Sequence, residues 1–515
     1  MPELIWKGKE QVMNHHLEVP IRCLDRRSTY NAEQSENRII HGDNLEALKA
    51  LLPEYEGRVK CIYIDPPYNT GNESWVYNDN VKDPRIVRWL GEVVGKEGED
   101  FCRHDKWLCM MYPRLQLLKR LLASDGAIFI SIDDHECDFL KLVMDEIYGA
   151  GMFIGKFIWK SRQNKDNRNK TGVSIDHEYV LCYGKSLKGE QRNISQYSNP
   201  DSDSRGPWVS GNMVGLATRA QRPNLHYDLI DPETNINYGC PKKGWRYEPK
   251  SMAKKISEQR IIWPKSKGGR PRIKNYLHEL QSQYTGYSSL IGQGVYTRNG
   301  STDLREIFKD QVLDFPKPVS LLEELITQGV LDKDSIILDS FAGSGTTAHA
   351  VLNLNKKDNG NRKFILIEMM DYAETITAER VRRVIDGYGA DNKAVSGTGG
   401  DFSYYTLGDR IFDDEDNLNE SIGIAKIRDY VARTEQLPGA ELGEHPAWLG
   451  EKNRTGYYFH YQPDQVTFLN MDFLATLTRK NEAYLIYADV CLLDSDFMHR
   501  HCIRFKKIPR DISRF

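Results

Sequence analysis

Apolar residues gather along this chain in short continuous runs. "VKCIYI" (Val59–Ile64), "AIFISI" (Ala127–Ile132), "EYVLCYG" (Glu178–Gly184), "SIILDSF" (Ser335–Phe341) and "KFILIEM" (Lys363–Met369) each read as a strand buried on both faces. Between them the spacing becomes that of a helix face. "WLCMMYPRLQLLKRLLAS" (Trp107–Ser124) stops at Asp125-Gly126, and "FLKLVMDEIYG" closes on Gly149. "TTAHAVLNLNKK" (Thr346–Lys357) follows the fourth strand, and "AETITAERVRRVIDGYG" follows the fifth. Buried strands alternating with helices predict an α/β fold with a parallel sheet covered on both faces.

The pattern breaks between about Leu187 and Leu304. Ser, Asn, Gly, Pro and Tyr rise there, and "NPDSDSRGPW" and "WPKSKGGRPRIK" punctuate a stretch without strong periodicity. It reads as an inserted domain of short strands and loops. After "AVSGTGGD", a linker by composition, a tail follows that contains the strand-like "AYLIYADV" (Ala483–Val490). The expected division is 1–186, 187–304, 305–394 and 395–515, the α/β sheet being built from the first and third segments.

At 515 residues the chain has room for several domains. No run approaches the roughly 18 apolar residues of a membrane span, and the N-terminus has no apolar signal core, so a cytoplasmic protein is expected. The nine cysteines form no CxxC pair, which leaves no metal site at the usual spacing and predicts free thiols. The net charge is −3, so contact with nucleic acid would have to come from local basic patches.

Two stretches carry chemistry. In "CIYIDPPYNTGNE" a buried strand ends abruptly on Asp65-Pro66-Pro67-Tyr68. Proline lacks a backbone donor and fixes φ, so the pair stops the strand and holds an acid and an aromatic ring at its mouth. An exocyclic amine on adenine or cytosine has a lone pair conjugated into its ring. The Asp65 carboxylate and the Pro66 carbonyl can each accept one of its N–H bonds, which frees that lone pair and stabilises positive charge as the nitrogen attacks a methyl donor. Tyr68 can stack on an extruded base. A bare strand-ending turn accounts for the prolines but not for the acid and the ring together. In "LDSFAGSGTTAHA" (Leu338–Ala350) a strand runs through Gly343-Ser344-Gly345 into a helix, and the next strand ends on Glu368. The glycines allow a ligand close to backbone, and the acid is placed for ribose hydroxyls. A lone Gly-x-Gly is weak evidence, because such turns also serve packing.

Together, DPPY followed at a distance by FAGSGTT resembles the S-adenosylmethionine-dependent amino-methyltransferases. The order of the motifs, with the insert between them, is that of the β class, and the DPPY form is typical of adenine-N6 enzymes. "HGDNLEAL" (His41–Leu48) and "FPKPVSLLEELI" (Phe315–Ile326) match two further motifs. "DPPYNTGNESWVYNDN" and "RHDKWLCMMYPRLQLLKRLLASDGAIFISIDDHE" resemble the modification subunits of Type III restriction–modification systems. The resemblance implies a doubly wound, mostly parallel, Rossmann-like sheet in two sequence halves, with a target-recognition insert and a C-terminal α+β extension. It implies DNA adenine-N6 methylation by base flipping, with Asp65, Pro66, Pro67 and Tyr68 catalytic. Asp43, Phe315, Lys317, Pro318, Asp339, Phe341, Gly343, Gly345, Thr346 and Glu368 would hold S-adenosyl-L-methionine. His104 and Asp105 would be structural or position the substrate. A homodimer and a separate helicase–nuclease subunit are further implications.

"KFIWKSRQNKDNRNK" (Lys156–Lys170) and "KSKGGRPRIK" (Lys265–Lys274) are the basic patches. Charge runs are ordinarily solvated surface. Beside a DPPY cleft they become the expected contacts to double-stranded DNA, through Lys160, Arg162, Lys165 and Arg168 and through Lys265, Lys267, Arg270, Arg272 and Lys274. An RNA base methyltransferase, a solitary DNA methyltransferase and a non-catalytic recognition subunit are the alternatives.

Overall fold

The computed structural model describes residues 4–70, 88, 91–92, 103–165, 172–266, 268–390, 394–437, 439–440, 443 and 445–515. They fall into two compact units, one of Met1–Lys188 with Ser288–Phe515 and one of Gly189–Tyr287.

The larger unit is built on a ten-stranded sheet. In chain order its strands are β1 (Arg22–Tyr30), β2 (Arg38–His41), β3 (Val59–Ile64), β4 (Leu122–Ile132), β5 (Phe153–Trp159), β6 (Glu178–Gly184), β7 (Leu290–Ile291), β8 (Ile336–Asp339), β9 (Lys363–Glu368) and β10 (Phe402–Arg410). They lie in the order β1-β10-β2-β9-β8-β3-β4-β6-β5-β7. The run from β10 to β4 is parallel throughout. β6 runs antiparallel between β4 and β5, and β1 pairs antiparallel with β10. The principal helices are α1 (Asn44–Tyr55), α2 (Arg103–Leu121), α3 (Cys137–Met144), α4 (Thr297–Phe308), α5 (Val319–Gly329), α6 (Thr346–Asp358) and α7 (Glu379–Asp386).

Two-sided burial explains the continuous apolar runs. Ile62, Ile64, Ile128, Ile130 and Leu338 enter one core with Leu45 and Leu48 of α1 and Trp107 and Leu115 of α2. Cys61 and Phe129, one position out of step, face the other way. There a Cβ on Gly329 of α5 would stand 3.1 Å from the Cys61 sulfur and 2.8 Å from the Phe129 ring. β3 connects through α2 to its neighbour β4 on one side, while β8 connects through α6 to β9 on the other. The crevice beyond the carboxyl ends of β8 and β3 is therefore a topological switch point, where open α/β sheets bind ligands.

Two expected boundaries move. The separate unit is Gly189–Tyr287, shorter than 187–304, because β7 pairs with β5 and α4 packs against α7 in the larger unit. Residue 395 does not open a detached domain either. β10 lies between β1 and β2 in the main sheet, and only beyond it does a four-stranded sheet form from Trp448–Lys452, Thr455–Phe459, Ala483–Ala488 and Ile503–Lys507. Its helix Ile424–Thr434 packs Ile427 and Val431 with Ile21 and Cys23 at β1.

The smaller unit has a three-stranded antiparallel sheet of Trp208–Asn212, Arg272–Tyr276 and Ile261–Ile262 over a core of Met213, Leu229, Trp245, Met252, Ile261 and Ile273. Its ends meet in a two-stranded ribbon that pairs Glu190 with Thr285.

Candidate active site

Four parallel neighbours, β2, β9, β8 and β3, each deliver an acid at or just beyond the carboxyl end: Asp43, Glu368, Asp339 and Asp65. A cavity of about 560 Å³ opens there. Among its walls are Asp65, Pro66 and Tyr68 from the turn after β3, Phe341, Gly343 and Thr346 from the glycine loop after β8, and Phe315 and Lys317 from the strap before α5. The two motifs, far apart in sequence, thus line one space.

The turn after β3 is fixed from behind. Trp107 Nε1 donates to the Pro67 carbonyl at 2.7 Å. Asn69, fully buried with φ +59°, donates to the Arg103 carbonyl at 3.2 Å and to Glu136. His104 Nδ1 lies 2.7 Å from the same Glu136 oxygen, which places His104 in the support of the turn.

In front, Lys317 Nζ donates to both oxygens of Asp65, at 2.8 and 2.9 Å. It lies 3.5 Å from Glu178 Oε2 and 4.8 Å from the centre of the Tyr68 ring. Tyr68 donates its hydroxyl to Glu178 at 2.9 Å. Burial pushes the Asp65 carboxyl up, the Lys317 ammonium opposes that, and Glu178 adds to it.

The glycine loop is held by acids and hydroxyls. Gly343 and Gly345 have φ +53° and +81°, conformations that cost other residues strain. Asp339 accepts from the Phe341 amide at 3.0 Å and from Thr347 Oγ1 at 2.5 Å. Glu368 accepts from the amides of Gly343 at 2.7 Å and Met370 at 3.0 Å. Burial pushes each of these carboxyls up to about 7. Arg380, fully buried, donates to Ser344 at 2.6 Å and Thr346 at 2.8 Å, and burial holds its guanidinium down to about 10.

Five of the sequence-predicted residues stand back from the cavity wall: Pro67, Asp43, Pro318, Gly345 and Glu368. Asp43 caps α1, accepting from the amides of Leu45 at 2.8 Å and Glu46 at 3.2 Å. Glu368 is turned onto the glycine loop, each of its oxygens accepting one backbone amide. Conversely, Glu178 was visible in the sequence only as the first residue of a strand. Its position beside Asp65 comes from β6 running antiparallel, which brings the start of that strand to the carboxyl end of β4. Asp133, Asp134 and His135, in the "DDHE" after β4, also line the cavity. Their signal was the one that marked Asp65, an acid directly after a buried strand.

Of the basic residues, Lys160, Arg162 and Lys165 are exposed, and Arg162 reaches the cavity wall. In the smaller unit Lys265, Arg270 and Arg272 are exposed. Arg272 and Lys274 belong to a strand rather than a loop. Arg272 donates to Ser210, and Lys274 is tied to Asp201 and to Asp203 at 2.8 Å. Lys274 thus meets carboxylates of its own unit. Arg168 and Lys267 lie outside the described residues.

The cavity suits a methyl-sulfonium nucleoside. Its volume falls within the roughly 300–1,000 Å³ of small-molecule sites. Asp339 lines it as a buried carboxylate whose hydrogen-bond partners, among the described residues, are neutral, an arrangement completed by a cation.

A family profile described as DNA methylase, for N6 and N4 methyltransferases, matches residues 59–379. The chain is 32% identical over 451 residues to the Type III restriction-modification enzyme StyLTI Mod subunit of Salmonella typhimurium, covering 81% of this chain and 67% of that protein. It is 31% identical to the EcoP15I Mod subunit of Escherichia coli, covering 71% and 64%. It is 33% identical to the Type II methyltransferase M.KpnI of Klebsiella pneumoniae, covering 65% and 81%. The chain therefore spans about two thirds of these two Mod subunits and more of the Type II enzyme.

Proposed function

The chain belongs to the N6/N4 DNA methylase family, and from that premise we propose that it is a site-specific DNA methyltransferase acting on adenine N6. The observation that carries the reading is the meeting of the Asp65–Tyr68 turn and the Phe341–Thr346 loop in one cavity. S-adenosyl-L-methionine would supply an electrophilic methyl group on a sulfonium. Asp339, Phe341, Gly343 and Thr346 would hold it, with Phe315 across the cavity and Asp43, Gly345, Pro318 and Glu368 shaping the walls from behind.

The residues on the other side handle the base. Asp65 accepts an N–H of the exocyclic amine, draws its lone pair out of conjugation and balances the positive charge that grows on nitrogen. Tyr68 stacks on the flipped ring, and the prolines keep acid and ring in fixed relation. Lys160, Arg162, Lys165, Lys265 and Arg270 contact phosphates, and the Gly189–Tyr287 unit reads the target. The Mod subunits among the relatives support a place in a Type III-like restriction–modification system with a separate restriction subunit, and a dimer of this chain is part of the same proposal. No described helix is long and apolar enough to cross a membrane.

Tritiated methyl transfer to DNA and to RNA, followed by nucleoside analysis, tests the reading. Label in N6-methyladenine from DNA is expected. Label in RNA alone, or in N4-methylcytosine, overturns it.

A further inference from the structure

We propose that Lys317 occupies the target-amine position of the resting enzyme and that Glu178 receives its ammonium when the base arrives. The inference rests on the adenine-methylation reading of the cleft.

The Lys317 ammonium does at Asp65 what the target amine is to do there. It is a nitrogen donor in the fork of Asp65, 2.8 and 2.9 Å from its two oxygens, and it lies 4.8 Å from the centre of the Tyr68 ring. An exocyclic amine cannot take the same acceptor while the lysine holds it. The position is also well defended, since Lys317 is about 10% exposed and Asp65 about 21%.

The ammonium has a second anion within a short swing. Glu178 Oε2 is 3.5 Å away and already accepts from Tyr68 at 2.9 Å. Transfer from Asp65 to Glu178 keeps the lysine paired, and the arriving amine N–H takes its place on Asp65, so neither charge is left isolated. It also leaves Asp65 anionic and open, as the developing positive charge on the amine requires. The rest of the strap cannot follow. Pro316 and Pro318 flank Lys317, and the Pro316 carbonyl lies so close to α4 that a Cβ on Gly300 would stand 2.0 Å from it. The backbone is anchored, and the four-carbon side chain is the moving part. One cation shared by two carboxylates is the device that makes the exchange possible.

On this account Glu178 is a positioning residue that acts through Lys317. The test compares wild type, Glu178→Gln, Lys317→Met and the double variant on DNA from a host lacking adenine methylation. N6-methyladenine is read by mass spectrometry, with circular dichroism and S-adenosylmethionine calorimetry to establish folding and cofactor binding. Glu178→Gln should raise the KM for DNA about tenfold or more, the scale of a lost charged hydrogen bond, while cofactor affinity stays unchanged. Adding Lys317→Met should bring the DNA KM back toward wild type, because no lysine is left to compete for Asp65. A double variant that binds S-adenosylmethionine yet is no better than Glu178→Gln overturns the proposal while leaving the methyltransferase reading intact, and so does a Lys317→Met variant that loses S-adenosylmethionine binding, which would place Lys317 on the cofactor. A wild-type protein that forms no N6-methyladenine overturns that reading and this proposal with it.

Discussion

At the scale of single residues the cleft is a set of buried acids, each with its own restraint. Asp65→Ala should lower the methylation rate by roughly 10²–10⁴ with cofactor affinity nearly unchanged, as read by single-turnover transfer and calorimetry. Tyr68→Ala should cost more than Tyr68→Phe or Tyr68→Trp, since stacking of roughly 1–3 kcal/mol needs the ring face rather than the hydroxyl. Equal losses in all three would assign the ring another role. Burial pushes the Asp339 and Glu368 carboxyls up to about 7. In the unfolded chain such carboxyls titrate near 4. The native state therefore holds more protons than the unfolded one between about 4 and 7, and this contribution to ligand-free stability falls as pH rises through that window. A sulfonium ligand reverses the sense, because it favours the ionised acids. Calorimetry should show S-adenosylmethionine binding roughly tenfold tighter at pH 8 than at pH 6, on the scale of one pKa unit per decade. A flat profile would mean that neither carboxyl senses the ligand's charge.

At the scale of elements the strap between α4 and α5 sets the position of Lys317. Gly300→Ala should push the Pro316–Lys317 backbone away from α4, because the added Cβ would meet the Pro316 carbonyl at 2.0 Å. Thermal unfolding should fall by several degrees, in line with overpacking that costs roughly 1–3 kcal/mol, and methylation should fall further than stability explains. Elements with a strong apolar signal are legible in the sequence. Val59–Ile64 and Glu178–Gly184 form strands with the expected ends, and Thr346–Lys357 is a helix longer by one residue. Others are not. "RCLDRRSTY" (β1) lies at the sheet's edge with an exposed middle, and "FSYYTLGDR" (β10) loses burial toward its end. Their pairing is a long-range fact, with a sequence separation of 379 in the Arg27–Thr406 bond, which local spacing does not record. The same holds at the site. The turn at Asp65 announces itself by its prolines, whereas Glu178 reaches it through the direction of β6, a property of topology.

At the scale of the whole molecule the two units make different demands on the chain. A protein ending at Gly400 would lose β10 from between β1 and β2 and would uncover Ile21 and Cys23, which pack with Ile427 and Val431. Circular dichroism and solubility should show it unfolded, although 395 looks like a boundary in the sequence. The Gly189–Tyr287 unit is the separable part. Glu190 and Thr285 are directly paired, so their Cα atoms stand only about 5 Å apart, and a short Gly-Ser linker can close the gap left by its removal. The remaining chain keeps all ten strands of the main sheet and every residue of the cleft. It should therefore fold and bind S-adenosylmethionine within a fewfold of the full chain by calorimetry, and lose specific methylation of DNA. The discriminating comparison is duplex DNA against free adenosine as methyl acceptor. If the removed unit serves target reading, duplex methylation collapses while any slow transfer to adenosine persists. If the shortened chain still methylates duplex DNA at the same sites, target reading belongs to the larger unit, and its exposed Lys160, Arg162 and Lys165 become the residues to substitute next.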